Sequence, residues 1–237
     1  MPNPGNPFAH GESPPGTDGA PPGKVAQPGP GVPEVPPRKP AWTDPRASSR
    51  LSPEYRSLLA SLEADQRGYG TYRPKKYGES GIGAWGRYQF RAGALIDAGV
   101  IPFINFKTAS EEEQEHARNY LERNFLNNPA KQEEALAKFT DRNLTALRTF
   151  RPRRRKDIGT QIRASDGTSF TITEAGLAAA AHYAGRAGVL KYLRHVAERG
   201  WTSDRDHISA ADRGTFAEVE RRLRLFEGVP LAADGKR

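Results

Sequence analysis

Two glutamates, a glycine-rich loop and a histidine–tyrosine pair are the residues whose types and spacing could do chemistry. Glu63 falls beside Leu62 and one turn after Leu59, at the edge of an apolar stripe and near the end of a predicted helix before Gly68. A carboxyl at such a rim is partly desolvated, which raises its pKa toward what a general acid near neutral pH needs. A solvated flank residue is the alternative, and that fits most helix glutamates. Glu79 lies in a stretch running from Gly78 to Gly99, in which Gly78, Gly81, Gly83 and Gly86 fall among nine residues. Glycine permits positive φ and close approach to the backbone, so a loop of this kind suits the exposed floor of a groove; a structural turn is the alternative. His182 and Tyr183 end an alanine-rich run, where a histidine is either a satisfied core residue or part of a groove lining.

The elements that must position these groups are mostly helical. Ser52-Pro53-Glu54 starts a helix, with Ser as N-cap, Pro in the first turn and an acid at the positive end of the dipole. Tyr55, Leu58, Leu59, Leu62 and Gln66 mark one of its faces. Residues 68–78 read as a loop, in which Tyr69, Tyr72 and Tyr77 either stack on sugar rings or pack the loop itself. Tyr88, Ala92, Leu95, Ile96 and Gly99 follow helical spacing, which predicts a helix directly after the glycines. Ser110 and Glu113 form a capping box, and Pro129 opens a further helix with Ala135, Leu136, Phe139, Leu144 and Leu147 as its apolar series. Asp166-Gly167 between two short β-like runs predicts a hairpin. Thr173 caps the alanine-rich helix, which is expected to end at Ala184-Gly185 and to lie at the domain centre.

Four blocks, in order, resemble lysozyme-like lytic transglycosylases and muramidases, in their phage-associated or secreted-effector branch. The segment Ser80-Gly-Ile-Gly83-Ala84-Trp-Gly86-Arg-Tyr88-Gln89 is similar to the S-x-x-G-A-x-G-x-x-Q signature. Phe125–Glu133 resembles the second block, Ala181-His182-Tyr183-Ala184-Gly185 the A-Y-N-A-G block, and Asp212–Phe226 the closing helix. The resemblance implies a mostly α, lysozyme-like (transglycosylase-type) domain with a small β-hairpin and a glycan groove, preceded by a disordered Pro/Gly-rich tail. It also implies cleavage of the β-1,4 bond between N-acetylmuramic acid and N-acetylglucosamine by a glutamate general acid. That glutamate is Glu63 by position, with Glu79 as the alternative because it adjoins Ser80 and the family's acid sits closer to this serine. Substrate contacts are expected from Ser80, Gly86, Tyr88, Gln89, Tyr72, His182 and Tyr183. Asp65, Glu79 and Asp97 are available as a second carboxylate. A non-catalytic wall-binding or virion structural module on the same scaffold is the other class.

Composition sets the boundaries. Residues 1–45 hold fourteen of the twenty prolines and seven glycines, so 1–47 is expected to be a disordered spacer with polyproline II character. A lysozyme-like domain is expected over 48–228 and a flexible tail over 229–237. The net charge of +8 belongs mostly to the part beyond residue 50 and favours polyanionic partners. The basic run Arg151–Lys156 lacks a recognisable nucleic-acid-binding context, and no nucleic acid partner is expected. The expected partners are peptidoglycan glycan strands, with an immunity protein or phage and secretion components through the N-terminal segment. No metal site, no cofactor and no membrane span are expected: five scattered histidines and no cysteine give no ligand set. No Sec-type leader is apparent, so delivery to the periplasm or cell wall by a phage particle, holin-dependent release or a specialised secretion system is expected.

Overall fold

The structure, a computed structural model, describes residues 50–64, 68–74, 81–149, 157–204 and 206–233, all within one unit of the chain, Thr43–Arg237. The whole of the expected Pro/Gly-rich tail 1–47, Asp65, Gln66, Tyr77, Glu79, Ser80 and the basic run 151–156 lie outside these residues. The described chain is mostly helical, with two small antiparallel sheets.

Helix α1, Pro53–Ala64, starts where its cap sequence predicts: the Ser52 hydroxyl accepts from the Tyr55 N–H at 3.0 Å. Tyr55, Leu59, Ala60 and Ala64 are its buried face, so the stripe turns slightly from the expected one, and Leu58 and Leu62 are half-buried. Strands β1 (Tyr72–Arg73), β2 (Ala84–Trp85) and β3 (Phe90–Arg91) form a sheet in that order. Here the expected long helix fails. Trp85 pairs with Phe90 across the sheet, both fully buried, and the chain between them is a tight turn with φ of 76° at Gly86 and 48° at Gln89. Positive φ is incompatible with a right-handed helix. Only α2, Ala92–Asp97, is helical.

Helix α3, Glu111–Asn124, carries the capping box in full, with Ser110 and Glu113 each bonding the other's backbone. Helix α4, Pro129–Thr149, brings polar residues inside: Gln132, Glu133, Glu134, Thr140 and Asn143 are all buried. Strands β4 (Gln161–Arg163) and β5 (Ser169–Thr171) make the predicted hairpin, and Asp166 Oδ1 accepts from the Thr168 N–H at 3.0 Å in its turn.

Helix α5, Glu174–Glu198, is capped by Thr173 and lies at the centre, with Ala175 through Ala181 buried. It is broken at Gly185 (φ 65°, ψ 165°), where the sequence places a stop; helical structure resumes beyond it. Helix α6, Ala210–Leu225, packs along α5. A Cβ at Gly176 would stand 3.1 Å from the Leu223 backbone, so the small residue allows the close contact.

One boundary moves. Residues 229–233 were expected to be a free tail, yet they are tied to the entrance of α1. Leu51 bridges to Ala232, and the Ser52 N–H donates to the Leu231 carbonyl at 2.8 Å. The Ser52 hydroxyl also donates to the Pro230 carbonyl. Only positions 234–237 of that expected tail lie outside the described residues.

Candidate functional site

The last turn of α1, the loop 81–84, the segment 89–94 and the broken middle of α5 border one groove of about 760 Å³. Glu63, Gln89, Asp97, Asn143, His182 and Tyr183 are among the residues that line it. Three of the expected contact residues thus gather around Glu63: Gln89, His182 and Tyr183.

Glu63 keeps about 14 % of its side chain exposed, and its Oε1 lies 2.7 Å from Nη1 of Arg222, an α6 residue whose side chain is 2 % exposed. The contact is an ion pair without hydrogen-bond alignment, since Oε1 has no donor proton aimed at it. Arg222 is shared. Its Nε donates to Glu218 Oε1 at 2.7 Å and its Nη1 to the Ala179 carbonyl at 3.3 Å. Burial would raise the Glu218 pKa, but hydrogen bonds from Arg221 and Arg222 outweigh it and hold the carboxyl below its ordinary value. The guanidinium carbon also stands 4.9 Å from the Tyr183 ring centroid, while Tyr183 itself is half exposed to the groove.

His182 faces inward. Its Nε2 lies 2.7 Å from the Tyr88 carbonyl, which can only accept, so Nε2 carries the proton and Nδ1 is an acceptor in the neutral ring. The ring stands edge-on to Phe90 and Phe139, at 5.4 and 5.6 Å between centroids. Burial pushes its pKa down; Glu63 and the Tyr88 carbonyl act in the opposite sense.

Other expected contacts do not reach the groove. Tyr88 is fully buried, and its hydroxyl donates to Glu133 Oε1 at 2.6 Å. The Tyr69 hydroxyl donates to the same oxygen at 2.5 Å, and Arg56 of α1 meets Oε2 at 3.1 Å. Burial and the adjacent carboxylate both push the Tyr88 hydroxyl pKa up. Gly86 is absent from the lining for a related reason. A Cβ there would stand 2.3 Å from Gln132 Oε1, which accepts from the Arg87 N–H at 2.8 Å. Its openness serves a neighbouring side chain rather than a ligand. Tyr72 stacks on Trp85 at 4.2 Å and donates to the Ile82 carbonyl at 3.3 Å, outside the lining. Glu79 and Ser80 lie outside the described residues.

Two participants escape the sequence patterns. Arg222 belongs to a helix rich in arginine, and nothing local distinguishes it. Asn143 had a signal: it falls one turn after Phe139 and two after Leu136, a polar residue on an apolar face. Asp97 is the described carboxylate among the proposed second acids; it lines the groove and pairs with Arg142 at 3.3 Å and Arg186 at 3.9 Å. Among the described residues no three His, Asp or Glu side chains gather as metal ligands, and no helix is long and apolar enough to cross a membrane.

Compared with family models, with curated proteins and with solved structures, the chain matches none of them.

Proposed function

We propose that this protein cleaves the β-1,4 bond between N-acetylmuramic acid and N-acetylglucosamine in peptidoglycan, with Glu63 as the proton donor. The observation that carries it is the position of Glu63: a part-buried carboxyl on the last turn of a helix, on the wall of a groove large enough for several sugar rings. In the reaction the Glu63 carboxyl gives its proton to the glycosidic oxygen as the C1–O bond breaks and positive charge develops at C1. The carboxylate left behind then accepts a proton from the attacking nucleophile. That nucleophile is water in a muramidase and the muramyl 6-hydroxyl in a lytic transglycosylase. Arg222 acts as a positioning residue, holding the carboxylate between its own anchors on Glu218 and Ala179.

A second reading has its own observation. Glu63 is held against a buried guanidinium, an arrangement that also serves as a structural ion pair, and a wall-binding module without catalysis would keep it. Incubation of the protein with purified peptidoglycan, followed by mass analysis of the soluble products, separates the two. Release of muropeptides supports cleavage, and reducing or anhydro ends identify the nucleophile. Sedimentation of the protein with intact sacculi and no release supports the module. Delivery by a phage particle, holin-dependent release or a specialised secretion system, and an immunity protein or phage and secretion components as partners through the N-terminal segment, belong to the same proposal.

A further inference from the structure

Both carboxylates of the groove lining are matched by arginines: Glu63 by Arg222, and Asp97 by Arg142 and Arg186. Two further arginines of the lining, Arg73 and Arg91, are in no ion pair among the described residues.

The strand register puts these two in one row. Arg73 of β1 stands opposite Ala84 of β2, and Ala84 stands opposite Arg91 of β3. Residues directly opposite each other on antiparallel strands share a face of the sheet. The neighbouring row, Tyr72, Trp85 and Phe90, forms the other face; Trp85 and Phe90 are fully buried there, and Tyr72 stacks on Trp85. Both arginines are exposed. Their strands are two spacings apart, about 10 Å, and Ala84 between them carries only a methyl group. The row also borders Glu63, because Arg73 Nη2 donates to the Glu63 carbonyl at 3.5 Å. That bond helps to cap the end of α1, but it uses one donor of several. The Arg91 side chain makes no hydrogen bond among the described residues, so capping does not explain the row.

We propose that Arg73 and Arg91 form an anion-binding face that takes a carboxylate of the peptide stem carried by N-acetylmuramic acid. Two unmatched cations in a groove favour an anionic ligand, and a guanidinium is shaped to hold a carboxylate through two parallel hydrogen bonds. The glycan chain supplies no such charge, since in peptide-bearing strands the carboxylates belong to the stems. The muramic unit gives its C1 to the bond that Glu63 would cleave, and its stem leaves from the 3-oxygen of the same ring. A stem therefore starts beside the wall on which Glu63 lies, the wall that the Arg73–Glu63 contact joins to the sheet. The protein thus selects strands with charged stems over strands whose stems are neutral. The stem as the source of the carboxylate rests on the peptidoglycan reading; the unmatched arginine row does not.

The test uses the full-length Glu63→Gln variant, so that turnover is suppressed, and soluble glycan strands bearing peptide stems. One sample keeps the stem carboxylates free. In the other they are converted to amides, which removes the charge and preserves the length. The free-carboxylate strands should bind about fivefold or more tighter, in line with two exposed charge pairs. That difference should shrink as salt rises from about 0.05 to 0.5 M. Adding Arg73→Gln and Arg91→Gln should abolish it and leave binding of the amidated strands unchanged. Adding Lys107→Gln and Arg123→Gln instead, which removes the same charge from exposed positions outside the groove lining, should preserve it. Equal affinities for the two samples, no binding of either, a matching loss for the amidated strands, or loss of the difference in the Lys107 and Arg123 control overturns the assignment. So does an effect of the Arg73 and Arg91 changes confined to a glycerol phosphate polymer. Muropeptide release by the unaltered protein is scored separately. Discrimination between the samples without release keeps the arginine face and removes the cleavage; release without discrimination does the reverse.

Discussion

Arg222 meets Glu63 at 2.7 Å, joining the end of the first helix to the last one at the wall of the groove. The guanidinium is almost wholly buried, and its second carboxylate, Glu218, lies on its own helix. This pairing changes what each substitution at the site is expected to do.

Glu63→Gln should lower muropeptide release by about 10²–10⁴-fold, the usual contribution of a general acid. From sequence, removing a part-buried carboxyl is expected to leave stability unchanged or slightly higher. With Arg222 in place the sign reverses: a buried cation loses one of two anionic partners, at a cost on the order of 1–3 kcal/mol. Muropeptide release and the unfolding midpoint, measured on one preparation, check both statements. Near-normal release would return the acid's role to Glu79.

Arg222→Met should be more destabilising than the Glu63 change, because it leaves the part-buried Glu63 carboxylate without its cation, takes one of two arginines from Glu218 and removes a donor to the Ala179 carbonyl. Arg222→Lys should rescue it poorly, since an ammonium cannot span three acceptors in one plane. Denaturant midpoints of the two variants give the comparison. An Arg222→Lys midpoint close to that of the unaltered protein would show that the guanidinium's geometry is unimportant.

Gly86→Ala should destabilise by about 1–3 kcal/mol. The new methyl would meet Gln132 Oε1 at 2.3 Å, in a backbone conformation (φ 76°) that L residues rarely adopt. Displacing Gln132 also breaks its bonds to the Tyr69 and Phe125 carbonyls, at 2.9 and 2.8 Å. A shift in the denaturant midpoint without a change in slope is the expected record.

His182 makes stability pH-dependent. Its folded pKa lies below the ordinary 6.5, so on acidification the unfolded chain takes up the proton first. Stability is therefore full above about pH 6.5, falls as the pH drops through that value, and stops falling below the folded pKa. The unfolding midpoint should be lower at about pH 5.5 than at about pH 7.5, and His182→Gln should flatten that part of the profile.

Truncation after Gly228 should lower the unfolding midpoint by at least about 4 °C. It removes the Leu51–Ala232 bridge and the bonds from Ser52 to Pro230 and Leu231. A midpoint unchanged by the deletion would restore the free tail expected from residue 229.

Local chemistry was legible without coordinates. The Ser52 and Thr173 caps, the Ser110–Glu113 box, Pro129 at a helix start, the Asp166-Gly167 hairpin and the break at Gly185 each depend on neighbours a few residues away. The position of Glu63 at a helix end was legible for the same reason. Tertiary structure alone decided which polar groups meet. Tyr88 looks the same in sequence whether its hydroxyl faces a ligand or Glu133, and helical spacing across residues 88–99 gave no warning of the strand pairing of Trp85 with Phe90. Likewise Arg222 is one arginine among several until the packing of α6 on α5 brings it to Glu63. Periodicity records which side of an element is apolar; it carries no information about which distant partner satisfies a buried charge or amide, and that matching is what shapes the groove.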